Sequence, residues 1–279
     1  MALCLLANAS LLSAMTVSPL VKFDFTTVSD TSGYYTGSLK SGATLTTFSG
    51  KPILDLGSNN GYFDFGSSIG DVISHLDAYS MSVNLFIPTS STITGAGNFI
   101  WCFAKSSSTG YQFLGAKESR CATTLTNYSG EQNVNAGSTF TKGKWMNVTY
   151  TQSGGVGKLY IGGVLKATNS SMSITLQNIG KTTLNYLGRS CYNGDALLKG
   201  AQYNDFRIYN AALTDTDAAE LSQNVDSLNL PIEQAAMEET IKSFSLGDVS
   251  EQTRNIKLPS TYNSVINITW TTSDSSVIT

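Results

Sequence analysis

Charge is scarce in this chain of 279 residues. Lys and Arg number 17 and Asp and Glu 20, together 13% of the sequence, with a formal net charge of −3; that is roughly half the usual charged fraction. No Lys/Arg run occurs, which removes the electrostatic footprint a nucleic-acid partner requires. Histidine occurs once, at His75. One imidazole cannot build a histidine metal cage, and it leaves a hydrolytic triad a single candidate base. The four cysteines, Cys4, Cys102, Cys121 and Cys191, have no pair at zinc-ligand spacing. They read as small buried strand residues, or as one disulfide among the last three, with the pairing open. Acid pairs are also missing from the strands. A retaining glycosidase needs two carboxyls about 5–5.5 Å apart, and Asp24, Asp55 and Asp64 each stand alone between apolar neighbours. Asp215, Asp217 and Glu220 fall in what reads as an exposed helical turn. Catalysis within these residues is disfavoured.

The N-terminal stretch Ala2–Leu20 is apolar and rich in small residues. Its apolar part runs for about 14 residues, the length of a signal-peptide hydrophobic region and too short to span a bilayer. A positively charged start is missing. Residues 1–20 are therefore assigned as a signal peptide with an incomplete start, with an apolar first strand as the alternative. The expected location is secreted or at a cell surface, with no transmembrane segment.

Ser, Thr, Gly and Asn take the place of charge. From Val21 to Leu221, apolar residues alternate with polar ones and turn signals recur every few residues, the pattern of an all-β sandwich. Val21-Lys22-Phe23-Asp24-Phe25, Ile53–Leu56, Tyr62–Phe65 and Ser80–Ile87 alternate or run apolar. Phe99–Ala104 reads as a fully buried strand. Tyr111–Leu114 and Cys121–Leu125 read as two arms of a meander. Trp145–Thr151 and Gly157–Ile161 follow, and Gly162-Gly163 is a hairpin turn, since both positions accept φ > 0. Trp101 and Trp145 are expected in the core, and Tyr34-Tyr35 on the surface.

Two motifs narrow the reading. One is Leu187–Leu213, a small-residue turn (Gly188–Asp195), a strand (Tyr203–Tyr209) and a closing turn before an acidic helical turn. The other pairs Lys144-Trp145-Met146-Asn147-Val148 with Leu159-Tyr160-Ile161-Gly162-Gly163. In this order they resemble the laminin-G-like, concanavalin-A-like antiparallel jelly rolls of secreted bacterial carbohydrate-active proteins, over residues 21–225. That resemblance implies a non-catalytic accessory domain that binds a glycan or polysaccharide, or scaffolds. Its parent would be a glycoside hydrolase of arabinofuranosidase or xylosidase type, with the catalytic module on the same polypeptide beyond Thr279. The alternative is a cell-surface adhesion or structural sandwich.

The resemblance also directs attention to sites. Related domains carry an Asp-Ser-Ser-Gly loop after the first strand, matched here by Asp30-Thr31-Ser32-Gly33, with a paired-acid strand matched by Asn204-Asp205. Asp30, Asn204 and Asp205 are thus candidates for calcium, a cation that prefers oxygen ligands, although Asn204 replaces an acid. The competing expectation is that Asp30 makes an Asx-turn and Asp205 pairs with an Arg. For sugar binding the candidates are Tyr111, Arg120, Tyr128, Arg189, Tyr192 and Asp195, aromatic and planar polar groups on meander strands or loops. Aromatics in sandwiches more often serve as core or cross-strand pairs.

After Leu221 the composition changes. Residues 226–231 read as a polar linker ending in Pro231, at the first helical position of a helix from Ile232 to Phe244. Residues 232–279 resemble the first part of a bacterial immunoglobulin-like module, with a Leu258-Pro259 strand and a Trp270-Thr271-Thr272-Ser273 strand and turn.

Overall fold

The computed structural model describes residues 15, 17–243, 261–262 and 266–267. The chain divides into two compact units, Met1–Gln234 and Ala235–Thr279. In the second, the strands β16 (Thr261–Tyr262) and β17 (Ile266–Asn267) pair antiparallel. The remaining features expected of an immunoglobulin-like module, including Leu258-Pro259 and Trp270–Ser273, lie outside the described residues, as does most of the expected signal peptide.

Two antiparallel sheets make the first unit. One runs in the order β13 (Val164–Asn169), β12 (Val156–Ile161), β11 (Trp145–Ser153), β6 (Tyr79–Phe86), β15 (Gln202–Tyr209), β4 (Lys51–Asp55), β3 (Thr44–Phe48), with β1 (Val21–Phe23) also paired to β15. The other runs β10 (Gln132–Asn135), β9 (Arg120–Thr124), β8 (Thr109–Gly115), β7 (Phe99–Ser106), β14 (Leu184–Leu187), β5 (Tyr62–Asp64), β2 (Ser38–Lys40). The expected meander is present, with Phe113 opposite Ala122. Trp145 and Leu159 occupy the two strands of one hairpin, β11 and β12. Its turn, however, is Gly154-Gly155, and Gly162-Gly163 makes a second hairpin from β12 to β13. Both glycines of that second turn have φ near +60 to +75°, as a two-residue turn matched to strand twist requires.

Alternation sends every second side chain between the sheets. Phe65 lies at the centre, with ring centroids 5.0 Å from Phe23, 5.1 Å from Phe63, 5.1 Å from Phe206 and 5.7 Å from Phe103. Met81, Val83, Leu85, Trp101 and Val148 complete the layer. Trp101 donates to Gln112 Oε1 at 3.0 Å, so its polar edge is satisfied inside the apolar core.

The outward residues of β6 and β11 are polar yet buried. Asn147 donates to Asn84 at 2.9 Å, Thr149 to Ser82 at 2.9 Å, and Asn84 to Asn204 at 3.0 Å. They are covered by the segment after β15. There α3 (Asp215–Ser222) packs on β11, and Tyr209, Leu213 and Leu221 form one cluster while Ile53, Trp145, Val225 and Leu228 form another. Trp145 is buried, but between this cover and the sheet rather than between the sheets. Uncharged side chains suit such a covered face, because each can be hydrogen-bonded without the cost of burying charge.

The cover revises the expected linker. A helix, α4, spans Asp226–Ser243 with Pro231 inside it, rather than starting at Ile232. Tertiary contact explains the earlier start: Val225 and Leu228 are buried against Trp145, and the Asn229 side chain bonds both the N–H (2.8 Å) and the C=O (2.9 Å) of Trp145. The turn at Asp215–Glu220 is also less exposed than expected. Asp217 is buried in a capping box with Thr214, and Asp215 accepts from Tyr160 and Lys158. Among the described residues, no helix is long and apolar enough to cross a membrane.

Candidate functional site

With one sheet covered, the outer face of the second sheet carries the main groove, about 580 Å³ in volume. Its floor comes from alternation in β7, β8 and β9. Phe99 and Phe113 stack face to face, with centroids 3.8 Å apart and planes at 6°. The Arg120 guanidinium lies over Phe113 at 5.0 Å and pairs with Glu131. Neither stacked ring is a free platform, because both are buried.

Two loops form the walls. The first carries Tyr128 on a short turn, Tyr128–Gly130, where Asn127 caps by accepting from the Ser129 N–H at 3.1 Å. Tyr128 is 74% exposed. The second loop, residues 188–195, folds back over the sheet. Cys191 is its anchor, buried in a small cluster with Phe99, Cys102, Tyr111 and Phe113. A hydrogen-bond chain ties the loops together. Tyr111 donates to Glu131 at 2.7 Å; Tyr192 OH lies 3.1 Å from Tyr111 OH and accepts from the Tyr128 N–H at 3.2 Å. Because the Tyr111 proton goes to Glu131, Tyr192 donates to Tyr111. Burial, then Tyr192 and Glu131, push the Tyr111 hydroxyl far above its usual value, so it stays a donor at all working pH values.

The rim is closed by strained backbone. Gly97 has φ +87° and bridges Ala196 in parallel. A Cβ there would lie 2.3 Å from the Ala196 carbonyl oxygen, so only glycine allows this approach. Glu118, at φ +62°, is a non-glycine residue in the left-handed region on the β8–β9 turn, and it accepts from Asn135 at 3.1 Å. Strain of this kind is stored where surrounding structure holds it.

All six sugar-site candidates therefore meet on one face. Arg120, Tyr128, Tyr192 and Asp195 line the groove; Tyr111 supports it from beneath; Arg189 and Asp195 line a smaller cavity beside it. Sequence reasoning missed Lys117, Glu118, Glu131, Asn133 and Asn135 as lining residues. Asn133 and Asn135 flank buried Val134, and that alternation was the available signal; it is short, and Glu131 carries no local mark of its pairing with Arg120. Tyr34, 84% exposed, is at the surface as expected and away from these cavities, whereas Tyr35, expected beside it, is half-buried against the core.

The calcium candidates form a different arrangement. Asp30 is buried and makes an Asx-turn, with its carboxylate accepting from Ser32 N and Oγ and from Tyr35 N. Burial would raise its carboxyl, but the Ser32 and Tyr35 hydrogen bonds outweigh this and hold it below the ordinary value. Asp205 sits at φ +58° beside the register shift between β15 and β6. It chelates Arg207 and lies 3.6 Å from Lys22. Asn204 faces Asn84 and the Pro52 carbonyl. These oxygens are already neutralised or hydrogen-bonded and do not fit a calcium ion, which takes 6–8 oxygen ligands. Among the described residues no cluster of three or more His, Cys, Asp or Glu is placed to hold a metal.

Cys102, Cys121 and Cys191 are free and buried. Gly66-Ser67-Ser68-Ile69-Gly70 has the Gly-x-Ser-x-Gly spacing of a nucleophile elbow. Ser68 there adopts ordinary αR geometry (φ −64°, ψ −33°) as the cap of α1 (Ile69–Ile73). His75 Nδ1 lies 2.6 Å from the backbone carbonyl of Asp71, where a triad histidine meets a carboxylate.

A family model described as the Concanavalin A-like lectin/glucanases superfamily, of laminin-G type, matches residues 57–219. The chain belongs to this superfamily. No curated protein sequence matches it. Among solved structures it is similar to Domain 4 of AbnA, a GH43 extracellular arabinanase from Geobacillus stearothermophilus, in complex with arabinotriose. The TM-score is 0.60 at 16% identity, covering 74% of this chain and 98% of that one. It is also similar to the binding domain of botulinum neurotoxin DC in complex with rat synaptotagmin II, with TM-score 0.55 and 19% identity, covering 75% of this chain and 52% of that one. At these identities the likeness shows the fold, and it fits the sandwich expected of the superfamily.

Proposed function

We propose that this chain carries a non-catalytic glycan-binding domain, an accessory module of an extracellular bacterial carbohydrate-active protein. One observation carries the reading. The open groove sets an exposed ring, Tyr128, against a wall of polar groups of both signs: Lys117 and Arg120 beside Glu118, Glu131 and Asp195, a net charge of only −1 from two cations and three acids. Sugars present apolar C–H faces and a rim of hydroxyls that both donate and accept. A tyrosine face and a mixed set of planar donors and acceptors match them, whereas a pocket for an ion or an apolar ligand would be charged or dry.

Similarity to an arabinanase domain crystallised with arabinotriose supports a plant-polysaccharide ligand and a parent of the arabinan- or xylan-degrading type, with its catalytic module on the same polypeptide. Calorimetric titration of the full chain with arabinan, xylan and host-type glycans tests the reading. Binding to a plant oligosaccharide, weakened by Tyr128→Ala, is expected. Silence across the panel would favour an adhesive or structural sandwich instead.

A further inference from the structure

Arg189 differs from Arg120, the other arginine of this face. Its guanidinium carbon lies 4.6 Å from the Tyr62 ring centre and 5.2 Å from that of Tyr186. Yet among the described residues no carboxylate pairs with it and no protein atom accepts its N–H groups, in contrast to Arg120, which is held by Glu131. Asp195 is likewise without a protein donor among the described residues. Both line a cavity of about 200 Å³ with Ser41, Asn60 and Tyr62. Tyr192 and Asp195 also line the main groove, so the two cavities meet at the tip of the 188–195 loop.

We propose that this smaller cavity is a second sugar subsite, and that the ligand is the interior of a linear, neutral polysaccharide running from Tyr128 past Tyr192 and Asp195 to Arg189. The inference rests on the glycan reading above and specifies its substrate class. A guanidinium only donates, from a planar fork; a carboxylate only accepts. Lining one cavity and unpaired with each other, they complement the hydroxyls of an uncharged sugar. A uronate would suit Arg189 but would meet Asp195 as a like charge. The two tyrosine rings hold the guanidinium in place before ligand arrives, which lowers the ordering cost of binding. Continuity of the two cavities favours a chain that occupies both over a single terminal residue.

The test is calorimetric titration of the full chain with linear neutral oligosaccharides of arabinose, xylose, glucose and mannose, from two to six units, and with oligogalacturonides. Affinity should rise about tenfold or more with length for the preferred neutral series. Arg189→Ala should abolish that rise, and Arg189→Lys, which keeps the charge and loses the fork, should restore only part of it. If Arg189→Ala does not fold, Arg189→Lys and Asn60→Ala carry the same test. Length-independent affinity, or a length gain that survives these substitutions, overturns the second subsite and leaves the glycan reading standing. Tighter binding of oligogalacturonides overturns the neutral assignment. No binding by any oligomer overturns both.

Discussion

Tyr128 and Asp30 show how differently two polar residues are used. Tyr128 makes no packing contribution to the core; its backbone N–H is held by Tyr192 while its ring stands in water. Tyr128→Ala is therefore expected to weaken glycan binding about tenfold or more, about 1.4 kcal/mol, with the melting temperature unchanged. Parallel titration and thermal melts check this. Asp30 does the reverse. Its carboxylate satisfies the N–H groups of Ser32 and Tyr35 within a buried turn, so Asp30→Ala should cost about 1–3 kcal/mol by leaving those donors unmet. Because its folded pKa is lowered from 3.8, the contribution is present above that value and is lost as pH falls through the lower, folded one. Acid unfolding followed by circular dichroism should show the wild-type advantage over Asp30→Asn shrinking below about pH 4.

At the level of elements, legibility followed periodicity. The long strands β6, β7, β8, β9, β11 and β15 were evident in the sequence because their apolar residues alternate or, as in β7, run without a break. The short strands β2, β3, β10 and β13 were not; three to six residues with few buried positions, such as Val164–Asn169, carry no period to count. The helix cover was misread for a related reason. Its start depends on Val225, Leu228 and Asn229 meeting Trp145, a contact 84 residues apart for Asn229, and a proline within six residues argued locally for a later start. Leu228→Ala should cost about 2–5 kcal/mol in denaturant unfolding yet leave glycan affinity unaltered, since this cover lies on the opposite sheet from the groove. Gly97→Ala acts on the other side. It forces a Cβ into the Ala196 carbonyl, so it should lower both the melting temperature and the affinity by breaking the rim. The six sugar-site residues were legible as residue types on turns and meander strands; their convergence was not, because Tyr111 and Tyr192 are 81 residues apart and meet only through sheet order.

For the whole molecule, the two sheet faces divide the work. One is sealed by the segment after β15 and filled with hydrogen-bonded, uncharged side chains; the other is left open beneath two loops. The covered face accounts for part of the scarcity of charge, since Asn84, Asn147, Ser82 and Thr149 hydrogen-bond one another there without charge being buried; the groove on the other sheet keeps charged groups of both signs. The division also separates stability from metal. With Asp30 and Asp205 committed to Ser32, Tyr35, Arg207 and Lys22, adding a chelator or millimolar calcium should leave the melting temperature where it is; a calcium-dependent rise would show a cation bound to the folded state.

The most direct measurement of the central claim is titration of the full chain with arabinan- and xylan-derived oligosaccharides, wild type beside Tyr128→Ala and Asp195→Ala. The account predicts saturable binding by the wild type that both substitutions weaken without loss of fold. Equal affinity in all three proteins, or no binding by any, would contradict it.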